Sequence, residues 1–178
     1  KYLSNKGMTC KKVIEPGGTL LAENLREILK YLEHPISNQT ELFLFEAARS
    51  DLFEKEIIPA LEDGTTVISD RSQYSTLAYQ GYGGETNVSI ISDLNRIATR
   101  GTKPDLTFIL DISAAKGLGK ETLRDRFSDK GIKYHERVRK GFIEIASKHP
   151  DCVVIPYMEG VEKMQGIIRD IANKRLNL

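Results

Sequence analysis

Four short apolar runs punctuate the chain, at Met8–Ile14, Thr65–Ser69, Asp105–Ile112 and Cys152–Pro156, each of a length that suits a buried strand. Between them, apolar residues recur at helical spacing. The stripes are Leu21, Leu25, Ile28, Leu29 and Leu32; Leu42, Phe45, Ala48 and Leu52; Ile90, Ile91, Leu94 and Ile97; and Ile167, Ile168 and Ile171. Short strands alternating with amphipathic helices predict an α/β protein, a parallel β-sheet flanked by helices, with the stripes turned to its core. Asn38, with Glu41 three residues on, is placed to cap a helix, and Gly64 and Gly101 follow helical stretches as stops. Lys1–Gly7 reads as the last turns of a helix and its glycine stop. No repeat or low-complexity linker interrupts the pattern, so residues 1–178 read as a single domain.

Composition adds limits. With 178 residues, 40% of them hydrophobic and 29% charged, the chain can bury one core of ordinary density. Its 26 Lys and Arg against 25 Asp and Glu give a formal charge of +1, so no broad field favours a nucleic acid or a membrane surface. An anionic ligand must be held by local residues. Cys10 and Cys152 lie far apart without a CxxC, and His34, His135 and His149 share no metal-ligand spacing, which fits reduced thiols and no protein-bound metal. No apolar run approaches the roughly 18–20 residues that cross a bilayer, and no signal-peptide core opens the chain. A cytoplasmic setting is expected, with neither membrane nor nucleic-acid partner.

The most informative stretch follows the second strand: Asp70, Arg71, then Ser75, Thr76, Tyr79, Gln80 and Gly81. In open α/β sheets ligands bind beyond the carboxyl ends of strands, and a planar guanidinium there matches phosphate oxygens. Arg71 is therefore a candidate phosphate clamp, the alternative being an ion pair with Asp70. Thr76, Tyr79 and Gln80 follow at near-helical spacing, so a hydroxyl, an aromatic face and an amide can share one wall. Upstream, Phe45 and Arg49 lie one helical turn apart, where a base can stack on the ring and accept hydrogen bonds from the guanidinium. Spacing alone leaves a second reading open, with Phe45 in the core and Arg49 paired with Glu46 or Asp51. Glu15-Pro16-Gly17-Gly18-Thr19 forms a turn after the first strand that lets backbone approach a ligand.

Taken together, EPGGT from Glu15, LFLFEAAR ending at Arg49, DRxxxSTLAYQGYG from Asp70 and KPDLTFILD from Lys103 stand in the order and spacing of bacterial thymidylate kinases. The resemblance spans essentially the whole chain, and departs from the usual pattern at Ile14 and Ser72. It implies the architecture of P-loop nucleoside monophosphate kinases with a short lid, and transfer of the ATP γ-phosphate to dTMP, giving dTDP, with Mg2+. It implies further that Phe45 stacks on thymine, that Arg49 and Thr76 meet its polar edge, and that Glu15 and Pro16 lie beside the base. Arg71 would hold the acceptor phosphate, Tyr79 and Gln80 would border sugar and base, and a homodimer would form on helices near Asn38–Leu61. Kinases of another pyrimidine nucleotide or of a deoxynucleoside, and a nucleotide-binding module without catalysis, are the alternatives.

The segment Ala114–Glu121 superficially follows a phosphate-loop pattern, but Ala114 stands where glycine is needed and Glu121 where a metal-binding hydroxyl is needed. It reads instead as part of a lid at about 114–129. By resemblance, Lys120, Arg124 and Arg126 are the cations such a lid brings to the transferring phosphoryl group, the alternative being a solvated charged helix. The strand and phosphate loop that the resemblance places first are expected ahead of Lys1. A chain beginning at Lys1 is expected to be nearly inactive.

Overall fold

The computed structural model describes residues 1–120 and 125–178. A short 3-10 turn, Ser4–Lys6, ends at Gly7 with φ 83°, where the opening residues had suggested longer helix. Strand β1 (Cys10–Ile14) then leads through the Glu15–Thr19 turn, whose Glu15–Pro16 peptide is cis, into α1 (Leu20–Tyr31). The Thr19 side chain caps α1 by accepting from the Ala22 amide. Helix α2 (Asn38–Leu52) is capped by Ser37, which accepts from the Thr40 amide, not by Asn38. Asn38 donates instead to the Gly84 carbonyl at 2.8 Å. The sequence pattern misassigned this cap because Ser37 and Asn38 are adjacent residues of equal capping strength.

A π-helical turn (Phe53–Ile57) carries α2 into α3 (Ile58–Glu62), which Gly64 terminates with φ 73°. Strand β2 (Thr66–Asp70), α4 (Gln73–Thr76), a π-helical turn (Leu77–Gly83) and α5 (Val88–Ala98) follow. The remainder is β3 (Thr107–Asp111), α6 (Ala114–Leu118), α7 (Ile132–Lys148), β4 (Cys152–Pro156) and α8 (Val161–Leu176).

Strands β1 and β2 pair in parallel from Cys10↔Thr66 to Ile14↔Asp70, and β3 and β4 from Thr107↔Cys152 to Asp111↔Pro156. Among the described residues no ladder joins β2 to β3, so the strands form two parallel pairs where the apolar runs had suggested one sheet. Ile68 of β2 and Leu110 of β3 are accordingly 44% and 46% exposed. The run pattern identifies strands, but their lateral order depends on what lies between them.

The larger core cluster gathers Leu42, Tyr74, Leu77, Ile91, Ile109, Tyr134 and Val138, so it ties α2, α4, α5 and β3 to α7. A smaller one sets Val13 against Leu52, Phe53 and Ile57. The fully buried Leu42 and Leu52 each contribute about 2–3 kcal/mol of burial, which fixes the face α2 turns inward. Helix α7 approaches the Leu77–Gly83 turn closely enough to exclude a side chain at two points. A Cβ on Gly83 would lie 2.7 Å from Val138, and one on Gly141 would lie 2.6 Å from the Tyr82 ring. That close seating holds the wall bearing Tyr79 and Gln80 in place.

Candidate functional site

At the carboxyl end of β2 the chain turns sharply. Arg71 takes a left-handed conformation, φ 73°, which costs a non-glycine residue about 1–2 kcal/mol. Ser72 then caps α4 through the Tyr74 amide. The turn leaves Arg71 exposed at the mouth of a cleft, its guanidinium 5.3 Å above the Tyr79 ring. Helix α4 and the π-helical turn place Thr76, Tyr79 and Gln80 along one wall, α2 supplies Phe45 and Arg49, and the turn after β1 supplies Glu15 and Pro16. All eight of these residues line one cleft of about 880 Å³, counting the space at its open mouth.

Arg49 is 3% exposed and lies at the centre of a polar network. Its Nε donates to Glu15 Oε2 at 2.7 Å, Nη1 to Glu46 Oε1 at 2.6 Å and to Asn95 Oδ1 at 2.8 Å, and Nη2 to Thr76 Oγ1 at 2.7 Å. Arg49 thus pairs with Glu46, one of the two partners the sequence suggested, and also lines the cleft. Asp51, the other candidate partner, binds Lys55 and Thr19 instead. Burial pushes the Glu46 carboxyl above the ordinary carboxylate range even though Arg49 pulls it down.

The opposite wall comes from residues that the sequence pattern did not single out. Phe127 sits 5.8 Å from the Phe45 ring and 6.3 Å from Tyr79, which narrows the cleft with aromatic faces, and Asp125, Arg26 and Lys30 also line it. His135, half-buried as expected of an ordinary histidine, bonds the Phe127 carbonyl at 2.9 Å. Glu41, read from sequence as part of a capping box, is 2% exposed and serves as an anchor. It accepts Arg126 Nη2 at 2.7 Å, Lys130 Nζ at 2.8 Å and Gln80 Nε2 at 2.9 Å. Arg126 also donates through Nε to the Leu29 carbonyl, and it does not line the cleft. Lys120 lies 5.3 Å above the Tyr157 ring, likewise outside the cleft. Arg124 falls outside the described residues. The only available signal for Glu41 was a carboxylate on an otherwise apolar helix face, and for Phe127 an aromatic next to basic residues.

A cleft beyond the ends of parallel strands, walled by aromatic rings, with a buried guanidinium at its back and an exposed one at its mouth, marks an α/β phosphotransferase of the nucleoside monophosphate kinase class. A family profile described as thymidylate kinase matches residues 1–168. A thymidylate kinase of Caulobacter vibrioides is 42% identical over 169 residues, which cover 92% of this chain and 81% of that protein. One of Chlorobaculum parvum is 38% identical over 167 residues, 87% of this chain and 77% of the relative. The crystal structure of thymidylate kinase from Ehrlichia chaffeensis superposes with a TM-score of 0.72 at 36% identity, over 87% of this chain and 78% of that one. The chain belongs to the thymidylate kinase family.

Proposed function

We propose that this protein transfers the γ-phosphoryl group of ATP to the phosphate of dTMP, giving dTDP for dTTP synthesis, in the cytoplasm that its free Cys10 and Cys152 suit. The observation that carries the reading is Arg49. A guanidinium has five N–H donors, and the protein engages four of Arg49's, which leaves one on Nη2 beside the Thr76 hydroxyl. Thymine presents a carbonyl acceptor next to an N–H donor, and one N–H beside a hydroxyl oxygen is the complement of that edge. Phe45 offers a stacking face, Pro16 and Glu15 border the base, and Tyr79 and Gln80 flank the sugar. Arg71, permanently charged at the mouth, receives the phosphate.

In the transfer, an oxygen of the dTMP phosphate attacks the γ-phosphorus while the bond to the ADP oxygen breaks, so positioning and charge compensation are the protein's contributions. Lys120, Arg124 and Arg126 enter the proposal as the lid's share of that charge. Arg126, held by Glu41 and the Leu29 carbonyl, has its proposed contact with the phosphoryl group in a different conformation. Magnesium arrives as the counter-ion of the ATP phosphates. Among the described residues no group of three or more His, Cys, Asp or Glu gathers into a cage. Among them, too, no helix is long and apolar enough to cross a membrane.

Thermal unfolding tests the acceptor. At a dTMP concentration 100 times its Kd, the native state gains about 2.7 kcal/mol, and Tm should rise by roughly 5–10 °C. The same concentrations of dAMP and dGMP should leave Tm within about 1 °C, given negligible binding. No shift with dTMP, or an equal shift with dGMP, overturns the assignment.

The proposal includes a homodimer built on residues 38–61. Its support is apolar surface left open there, with Phe43 on α2 51% exposed and Leu61 on α3 42% exposed. Sedimentation equilibrium should return twice the 20.0 kDa chain mass. Phe43→Glu should return the monomer mass, and a wild-type monomer at micromolar concentration would remove the dimer from the proposal.

A further inference from the structure

Glu46 is 7% exposed, does not line the cleft, and is used by no step above. One of its oxygens takes Arg49 Nη1 at 2.6 Å, while the other, Oε2, is buried with no hydrogen-bond partner. Arg49 already has a counter-ion in Glu15 at 2.7 Å, itself 5% exposed, so Glu46 is a second buried carboxylate on one guanidinium. Surplus buried charge with an unpartnered oxygen opposes folding, and neutralising such a group is commonly neutral or stabilising. Glu46 therefore does little for stability that Glu15 does not already do.

What Glu46 adds is orientation. Without it, Nη1 would keep only the neutral Asn95 contact, beside Glu15 on Nε and Thr76 on Nη2. Glu46, with Asn95, immobilises Nη1 on the far side from the cleft and so directs Nη2, with its one remaining N–H, to Thr76 and the ligand. The N–H of Nη1 that Glu46 holds would otherwise be free, and with the spare N–H on Nη2 it can make two donors, the fork that pairs with the O6 and N7 acceptors of guanine. We infer that Glu46 is a specificity-determining positioning residue, which restricts Arg49 to a single donor and thereby favours a pyrimidine carbonyl over a purine edge.

This inference rests on the acceptor pocket proposed above, and calorimetric titration of the whole chain with dTMP and dGMP separates the two. Wild-type protein that fails to bind dTMP overturns the pocket itself. Given wild-type binding, Glu46→Ala should weaken dTMP about tenfold. It should also narrow the ratio of dGMP to dTMP Kd by at least as much. Glu46→Gln keeps an acceptor for Nη1 and removes the charge, so it should bind dTMP within about threefold of wild type and melt no lower. Glu46→Ala with unchanged dTMP affinity, or with both nucleotides weakened in equal proportion, overturns the positioning role. A Glu46→Gln variant that is as impaired in binding as Glu46→Ala overturns it as well.

Discussion

Replacing Arg71 by alanine is expected to weaken dTMP binding about 100-fold, or roughly 2.7 kcal/mol, while thymidine binds within about twofold of its wild-type affinity. The asymmetry follows from position. Arg71 lies at the cleft mouth, over the Tyr79 ring and outside the buried network around Arg49, so its removal deprives the phosphate of a charge-assisted fork and the base of nothing. Its left-handed backbone, φ 73°, is retained at the expense of local strain, which fits a residue placed for a ligand better than one placed for packing. Arg71→Lys should recover part of the affinity, because a point charge remains but the bidentate geometry is lost. Titrations with dTMP and thymidine decide the matter. Equal losses for both ligands would show that Arg71 shapes the pocket and does not hold the phosphate, and kcat/KM for phosphoryl transfer should fall at least as far as the dTMP affinity.

Arg49→Met should cost about 3–5 kcal/mol at pH 8, because it leaves Glu15 and Glu46 buried without their shared cation. For a chain of this length that is a fall in Tm of roughly 10 °C or more. The loss should depend on pH. Burial already raises the Glu46 carboxyl above its reference value beside Arg49, and without the guanidinium it rises further. A carboxyl whose folded-state pKa lies above its unfolded value supports folding below the unfolded pKa, and that support is lost as pH rises through the folded pKa. The variant's deficit relative to wild type should therefore be largest at pH 8 and shrink as pH falls toward about 5. Melting curves across that range provide the check, and a deficit of constant size would contradict the buried-charge explanation. No comparable effect is expected at Arg139, whose pair with Asp111 is exposed to solvent.

The two arginines differ in how far sequence could take them. The aspartate and arginine after β2, and the hydroxyl, aromatic and amide that follow, form a local pattern. A strand end and a helical repeat dictate which way these residues face, so their convergence on one cleft was readable in one dimension. Phe45 and Arg49 were readable in part. Helical spacing placed them on one face, but whether that face met core or cleft depended on α5 and the β1 turn, which bring Asn95 and Glu15 to the guanidinium from 46 and 34 residues away. Glu41 was misread because its local partner, a helix start, was plausible, while its real partners Arg126 and Lys130 lie 85 and 89 residues on.

The sequence by itself determined the α/β class, strand positions to within two residues, eight residues that line one cleft and the family to which they point. These are properties of short-range periodicity and of motifs whose members are neighbours in the chain. Tertiary structure alone decided that the strands stand as two parallel pairs and that Phe127 faces Phe45. It also decided that Glu41 anchors Arg126 and Lys130, and that Glu46 rather than Asp51 shares Arg49. Each of those outcomes turns on which distant side chain fills a given volume and which buried charge meets which counter-charge, and no periodic pattern along the chain encodes either.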